Sequence, residues 1–353
     1  MADSKPQVIA FYLPQFQPSP ENDRWWGKGF TEWTLTAAAT PLYPGHRQPR
    51  RPGELGYYDL RVAETRQAQA DLASAHDIAG FCYYHYWSLG RRLLGRVLDE
   101  VRSTGLPDTP FCLNWANHPW NRKWNGRMDE LLLDQEYSSD DAHVRRLCEV
   151  FADPRYLRVG DRPLFLFHWA HHLTDVRRTI ELMRSEASRL GVGELYLCRV
   201  ESVKDELGVD PRPLGFDASV GFQPTEASLP PRMNAQELGL DGSDQAALAT
   251  NGLFRYEDLV DLAISRPRPA YPYHPVVAPG WDNSPRRPRG EASIFHGSHP
   301  LEYRRWLEHA VESQRREDPG LVFVNAWNEW SEGAYLEPDA DFGRGFLQAH
   351  LGL

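Results

Sequence analysis

Paired cysteines are missing from this chain. Cys82, Cys112, Cys148 and Cys198 lie far apart with no CxxC pair, which argues against a disulfide framework and against a thiolate metal site. Three of the four fall inside predicted strands, where a thiol behaves as a small buried hydrophobe. A basic excess is missing too. Lys and Arg number 39 against 49 Asp and Glu, a net charge of −10, so neither nucleic acid nor an anionic membrane is expected as a general partner. No apolar run reaches the length of a membrane span, and residues 1–6 lead into a strand without an apolar signal segment, so a cytoplasmic protein is expected. No glycine-rich phosphate loop follows the first strand and no HxH or HExxH spacing marks a metal site, so neither a nucleotide cofactor nor a metal is expected. No repeat or linker divides the chain, and residues 1–353 read as one domain.

What the chain does have is aromatic residues, 12% of the total with 12 Trp, on a 41% hydrophobic background. Short apolar runs at 7–16, 78–87, 110–117, 163–169, 194–200, 216–223, 275–281 and 321–327 read as strands. The last-but-one is the weakest, because Pro272 and Pro275 interrupt it. Between them, helical spacing predicts helices over 62–76, 93–103, 140–152, 174–190 (capped by Thr174), 256–265 and 301–315, with only a short piece at 203–207 between strands five and six. Such alternation implies a parallel sheet. Eight strands without a phosphate loop favour an α/β fold of the closed (β/α)8 TIM-barrel type with long βα loops.

Several strands end in polar or aromatic residues. The first carries Tyr12 and Gln15, and the loop after it Trp26, Glu32 and Trp33. The second ends in Tyr84, His85, Tyr86 and Trp87, and the third in Asn114, Trp115 and Asn117, followed by Trp120 and Trp124. His168 and Trp169 close the fourth, Trp281 and Asp282 the seventh, and Asn328 and Glu329 the eighth. In a barrel these ends converge on one face. Aromatic rings mixed with amides, histidines and acids suit a sugar, which offers an apolar C–H face and a rim of hydroxyls. A carbohydrate is the expected ligand, and all these residues are candidates for holding it.

Glu329 and Glu332 are the candidate catalytic pair. Glycosyl transfer to water requires one group to protonate the leaving oxygen and another to act as base or nucleophile. Residues three apart face opposite ways on a strand but the same way on a helical turn. The two share a pocket if the strand stops near Trp330 and the chain curls at Gly333. The alternative is that one of them is a loop acid paired with an arginine. His85 and His168 read equally well as sugar ligands or as histidines satisfied by backbone. Asp339-Ala340-Asp341 has the form of a metal-holding DxD element, yet it also stands where Asp341 would cap a last helix. Arg286-Arg287-Pro288-Arg289 reads as a solvated loop or a site for an anion.

The run Trp327-Asn328-Glu329-Trp330-Ser331-Glu332-Gly333 with Leu336-Glu337-Pro338 resembles the signature of the family 99-like glycoside hydrolases. Residues 10–16, 25–33 and 80–87 resemble the WbsX branch of that group. The resemblance implies a (β/α)8 barrel with no required metal. In the family 99 enzymes, retaining endo-α-mannosidases, one glutamate is thought to act as base on the substrate's own 2-hydroxyl, giving a 1,2-anhydro sugar, and the other as acid/base. Carried over, Glu329 would be the base and Glu332 the acid/base, on a manno- or rhamno-configured α-linked glycan. The WbsX branch has also carried a glycosyltransferase label, so a transferase in surface-polysaccharide synthesis is the competing expectation.

Overall fold

The computed structural model describes residues 5–88, 90–118, 120–122, 127–133, 141–239, 250–287 and 290–353. Its centre is a ring of parallel strands. We number them β1 (Gln7–Tyr12), β2 (Ile78–Ser88), β3 (Phe111–Trp115), β4 (Arg162–Phe167), β5 (Tyr196–Val200), β6 (Ala218–Val220), β7 (Tyr273–His274 and Val276–Val277) and β8 (Leu321–Val324). β1 pairs with β2 and β8, and pairing runs on through β3, β4, β5 and β6. The first half of β7 pairs with β6 and its second half with β8, which closes the ring. Pro275 sits at the break, since a residue with no N–H cannot donate to the ladder. The eight-stranded barrel is therefore as expected, with β7 slightly earlier than the sequence suggested.

Helices Ala63–Ser74, Arg96–Thr104, Asp141–Phe151, Val176–Arg189, Tyr256–Ser265 and Pro300–Gln314 pack between successive strands. β5 and β6 are joined by two single 3₁₀ turns, Lys204–Glu206 and Arg212–Leu214, in place of a helix. Asp175, not Thr174, caps the Val176–Arg189 helix, accepting from the Arg178 N–H. All four cysteines are buried and unpaired. Among the described residues no helix is long and apolar enough to cross a membrane.

Strand alternation sorts the two faces of the wall. Phe11 stacks on Phe323 (5.6 Å) and Tyr84 (5.7 Å) on one face. On the other, the Tyr12 hydroxyl donates to Gln69 of the Ala63–Ser74 helix at 2.7 Å. The Phe11–Tyr84 face thus lines the barrel and the Tyr12 face meets the helices.

β8 ends at Val324, three residues earlier than expected. Asn328–Glu329 then pairs antiparallel with Ala334–Tyr335 around a 3₁₀ turn, Trp330–Glu332. Gly333 closes this hairpin at φ 61°, and a Cβ there would lie 3.0 Å from the Asp282 nitrogen. A side chain would meet both backbone strain and a clash. This is the curl that the Glu329–Glu332 spacing demanded.

Candidate active site

The hairpin brings Glu329 and Glu332 to one guanidinium. Arg286 Nη2 lies 2.9 Å from Glu329 Oε2 and Nη1 lies 2.6 Å from Glu332 Oε1. A third acid joins them. Glu32 Oε2 is 3.0 Å from the same Nη2, and the Ser331 hydroxyl donates to it. Arg286 Nε donates to Ser331 Oγ at 2.8 Å. Glu32 opens the Glu32–Ala38 helix, and Arg286 ends the 3₁₀ turn Ser284–Arg286 in the β7 loop. Loops after β1, β7 and β8 thus meet at the carboxyl ends of their strands.

Three carboxylates around one buried cation cannot all be ionised cheaply. Burial pushes the Glu329 carboxyl up to about 8, and Glu332 and Glu32 push the same way, against the pull of Arg286. Glu332 keeps 20% of its side chain exposed where Glu329 keeps 6%. Arg286 of the arginine run is therefore not solvated; Pro288 and Arg289 lie outside the described residues. Among the described residues Arg286 is the one guanidinium in contact with all three acids, and nothing in the local sequence marks it as buried.

Around the acids the inward face of β2 supplies Tyr84 and Tyr86. Gln15 donates to the Tyr86 hydroxyl at 3.2 Å, and the charges of Glu329 and Glu332 bear on Tyr84. Tyr84 stands edge-on to His168, 5.9 Å between ring centres. The Asn114 side-chain nitrogen lies 3.0 Å from His168 Nδ1, and burial depresses the His168 pKa to about 3, so its ring is neutral. Glu329, Glu332, Glu32, Gln15, Tyr84, Tyr86, Asn114 and His168 are thus brought to the inner face and the mouth.

Other candidates are engaged elsewhere. His85 and Trp87 have the opposite parity on β2 and meet His143 of the Asp141–Phe151 helix. His85 Nε2 is 3.0 Å from His143 Nε2, and Trp87 stacks on that ring at 4.9 Å. Trp115 is fully buried against His143 and Phe167, its indole N–H donating to the Trp87 carbonyl. Trp33 is buried against Phe16 and Trp330 and donates to the Tyr58 carbonyl at 2.8 Å. Tyr12 faces the helices, as described above. Asn328 clamps the end of β1: its Oδ1 accepts from the Leu13 N–H at 2.7 Å and its Nδ2 donates to the Leu13 carbonyl. Asn117 holds Trp169 in the same two-handed way. Trp26 is half-buried on Phe30, and Trp281 is half-buried against the core. The Trp120 side chain and Trp124 lie outside the described residues.

Asp282 does not reach the acids either. It is fully buried, 2.8 Å from His46 Nε2 and accepting from Gln48 at 2.7 Å, and these partners hold its carboxyl down to about 2 despite burial. Its N–H donates to the Glu332 carbonyl at 2.6 Å, so it fixes the Trp330–Glu332 turn through the backbone. Of the DxD pair, Asp339 accepts from the Tyr335 hydroxyl and from the N–H groups of Asp341 and Phe342. That leaves it committed to a turn. Asp341 caps no helix; the Gly345–Gln348 helix begins after Arg344.

A closed parallel barrel with paired acids at its carboxyl mouth defines the enzyme-like (β/α)8 class. The sequence model of the family described as "Glycosyltransferase WbsX" matches residues 8–350, and the chain belongs to that family. Two curated relatives, each named "Uncharacterized protein WxcX" and from two strains of Xanthomonas campestris pv. campestris (B100 and ATCC 33913), are 41% identical over 347 residues. The match covers 97% of this chain and 48% of theirs, so the chain spans about half the length of the curated relatives it matches. Among solved structures, a "Glycoside hydrolase-like protein" superposes with TM-score 0.61 at 14% identity, covering 99% of this chain and 94% of that one. The GH99 endo-α-mannosidase from Bacteroides thetaiotaomicron superposes with TM-score 0.54 at 14% identity, covering 98% and 95%. These likenesses bear on the fold.

Proposed function

We propose that this chain is a glycoside hydrolase that cleaves an α-linked glycan of manno or rhamno configuration, with Glu329 and Glu332 as its catalytic pair. The observation that carries the reading is the meeting of both carboxyls on one buried guanidinium at the barrel mouth. In this scheme Glu329 takes the proton of the sugar 2-hydroxyl as O2 bonds to C1. The C1 bond to the leaving oxygen breaks, and Glu332 gives that oxygen its proton. Water then attacks C1, Glu332 takes its proton, the C1–O2 bond of the anhydro sugar opens, and Glu329 returns the proton to O2. Two inversions retain configuration. A 2-hydroxyl is a very weak acid, so a carboxylate with a raised pKa is the stronger base for it, at the cost of a smaller ionised fraction at neutral pH.

The test is turnover of α-mannosyl and α-rhamnosyl substrates by Glu329→Gln and Glu332→Gln, each expected to lose about 10²–10⁴-fold. Undiminished turnover in either variant removes that residue from the mechanism. The printed family name favours a second reading, a glycosyltransferase of surface-polysaccharide synthesis. It requires a nucleotide sugar to bind the native state and raise the melting temperature; the engagement of Asp339 in a turn counts against metal-held pyrophosphate at the DxD element.

A further inference from the structure

Beside the acidic cluster, on the other side of Asp282, lies a cavity of about 300 Å³ that the mechanism does not use. Its walls come from the loops after β1 (Tyr43–Arg50), β7 (Asp282, Ile294–His299) and β8 (Phe342). Their charged groups are two guanidiniums and the ionised Asp282 carboxylate. Arg50 is buried to 7% exposure, and its Nε has no hydrogen-bond partner. Arg47 spans the cavity edge. Its Nη2 donates to Ser298 Oγ at 2.8 Å and its guanidinium stacks 4.6 Å above the Phe342 ring, while its buried Nη1 is without a hydrogen bond. The wall at Gly297–His299 leads into the amino end of the 15-residue Pro300–Gln314 helix, where Pro300 has no N–H and His299 Nδ1 already caps the Leu301 N–H, so what the helix adds is the positive end of its dipole.

The acids nearby are already occupied. Asp282 is hydrogen-bonded to His46 and Gln48, with the Arg50 guanidinium at 4.0 Å, and Asp339 is tied to Tyr335 and its own turn. Asp341 is the exception: 42% exposed, it faces Arg47 Nη1 only at 4.0 Å, a loose contact that an incoming anion can replace. His296 is bonded to the Tyr43 hydroxyl at 3.2 Å and held neutral by burial. The buried Arg47 Nη1 and Arg50 Nε make no hydrogen bond, which is costly unless something accepts from them, and a forked guanidinium matches carboxylate and phosphate oxygens.

We propose that this cavity is an oxyanion-binding site, taking a phosphoryl or carboxylate group carried by the same ligand that enters the barrel mouth. That the carrier is a glycan rests on the hydrolase reading; the anion site itself does not. The Asp282 N–H to Glu332 carbonyl bond makes the two sites neighbours, so an acidic glycan would span both.

The experiment is calorimetric titration of the 353-residue chain with inorganic phosphate, with methyl α-glucuronide and with neutral methyl α-glucoside, in the wild type, Arg47→Gln and Asp341→Asn. Phosphate, glucuronide or both bind saturably; Arg47→Gln weakens binding by about tenfold or more, and Asp341→Asn, at an exposed position, tightens it. Binding of phosphate alone assigns a phosphoryl group, and of glucuronide alone a uronate. No saturable binding of either anion, equal binding of the neutral glucoside, or a dissociation constant that neither substitution moves overturns the site. No turnover is read, so loss of this proposal and loss of the hydrolase reading show up in different experiments.

Discussion

At the scale of single residues, Arg286 decides how the acids behave. It is the only guanidinium or ammonium group in contact with Glu32, Glu329 and Glu332 among the described residues. Glu329 must be ionised to act as base, so kcat/KM is expected to rise with pH through about 8, the value to which burial pushes its carboxyl. A rate that falls across the same range would assign Glu329 as the acid instead. Arg286→Met removes the charge that favours the ionised form, so the rising limb should move alkaline by about one unit or more. The same variant leaves three buried carboxyls without their cation. Its unfolding free energy, from chemical denaturation, should therefore lie further below the wild type at pH 8.5 than at pH 5, by about 3–5 kcal/mol at the alkaline end.

At the scale of elements, the Asn328 clamp on Leu13 ties the end of β1 to the hairpin that follows β8. Asn328→Ala should cost about 1–3 kcal/mol, because it strands the buried Leu13 N–H and carbonyl; chemical denaturation measures it, and a loss within a few tenths would refute the clamp. This element also marks where sequence reading succeeds and fails. Apolar runs and breakers located β1 to β6 and β8, and the Gly333 curl followed from spacing alone. In the sequence Tyr84, His85, Tyr86 and Trp87 read alike as pocket residues, whereas strand parity turns Tyr84 and Tyr86 inward and His85 and Trp87 outward onto His143. What the sequence did not reveal were partners distant in the chain: His143 behind β2, Gln69 behind Tyr12, and Arg286 among the acids. Asp282 looked like a mouth residue because it follows β7. Only the folded β1 loop, bringing His46 and Gln48 to it, shows that it points away.

At the scale of the whole molecule, buried titratable groups set opposing pH limbs. Burial depresses eight histidines among the described residues: His85, His143, His168, His171, His172, His274, His296 and His350. Unfolding lets them take up protons below about 6.5, so their contribution to stability falls as pH drops. Burial raises four carboxyls: Glu329 to about 8, Glu206 and Glu337 to about 7, and Glu201. The folded state holds their protons, so their contribution is lost as pH rises from about 4.5 through 8. Below about pH 6.5 the histidines outnumber the raised carboxyls and stability rises with pH, and above it the carboxyls dominate. The melting temperature should peak near pH 6 to 6.5 and decline toward 8.5, with the decline flattened in Glu329→Gln; a curve still rising at pH 8 would contradict this balance. We also propose that residues 1–353 form one domain, which calorimetry should register as a single transition with equal calorimetric and van't Hoff enthalpies. Finally, β8 is the strand that both β1 and β7 wait for, and the two glutamates follow directly behind it. On the ribosome, the nascent chain would carry an open, unsealed sheet until residues 321–324 emerged, so the ring seals and the acids take their places in one event, and products cut short before β8 should be unsealed.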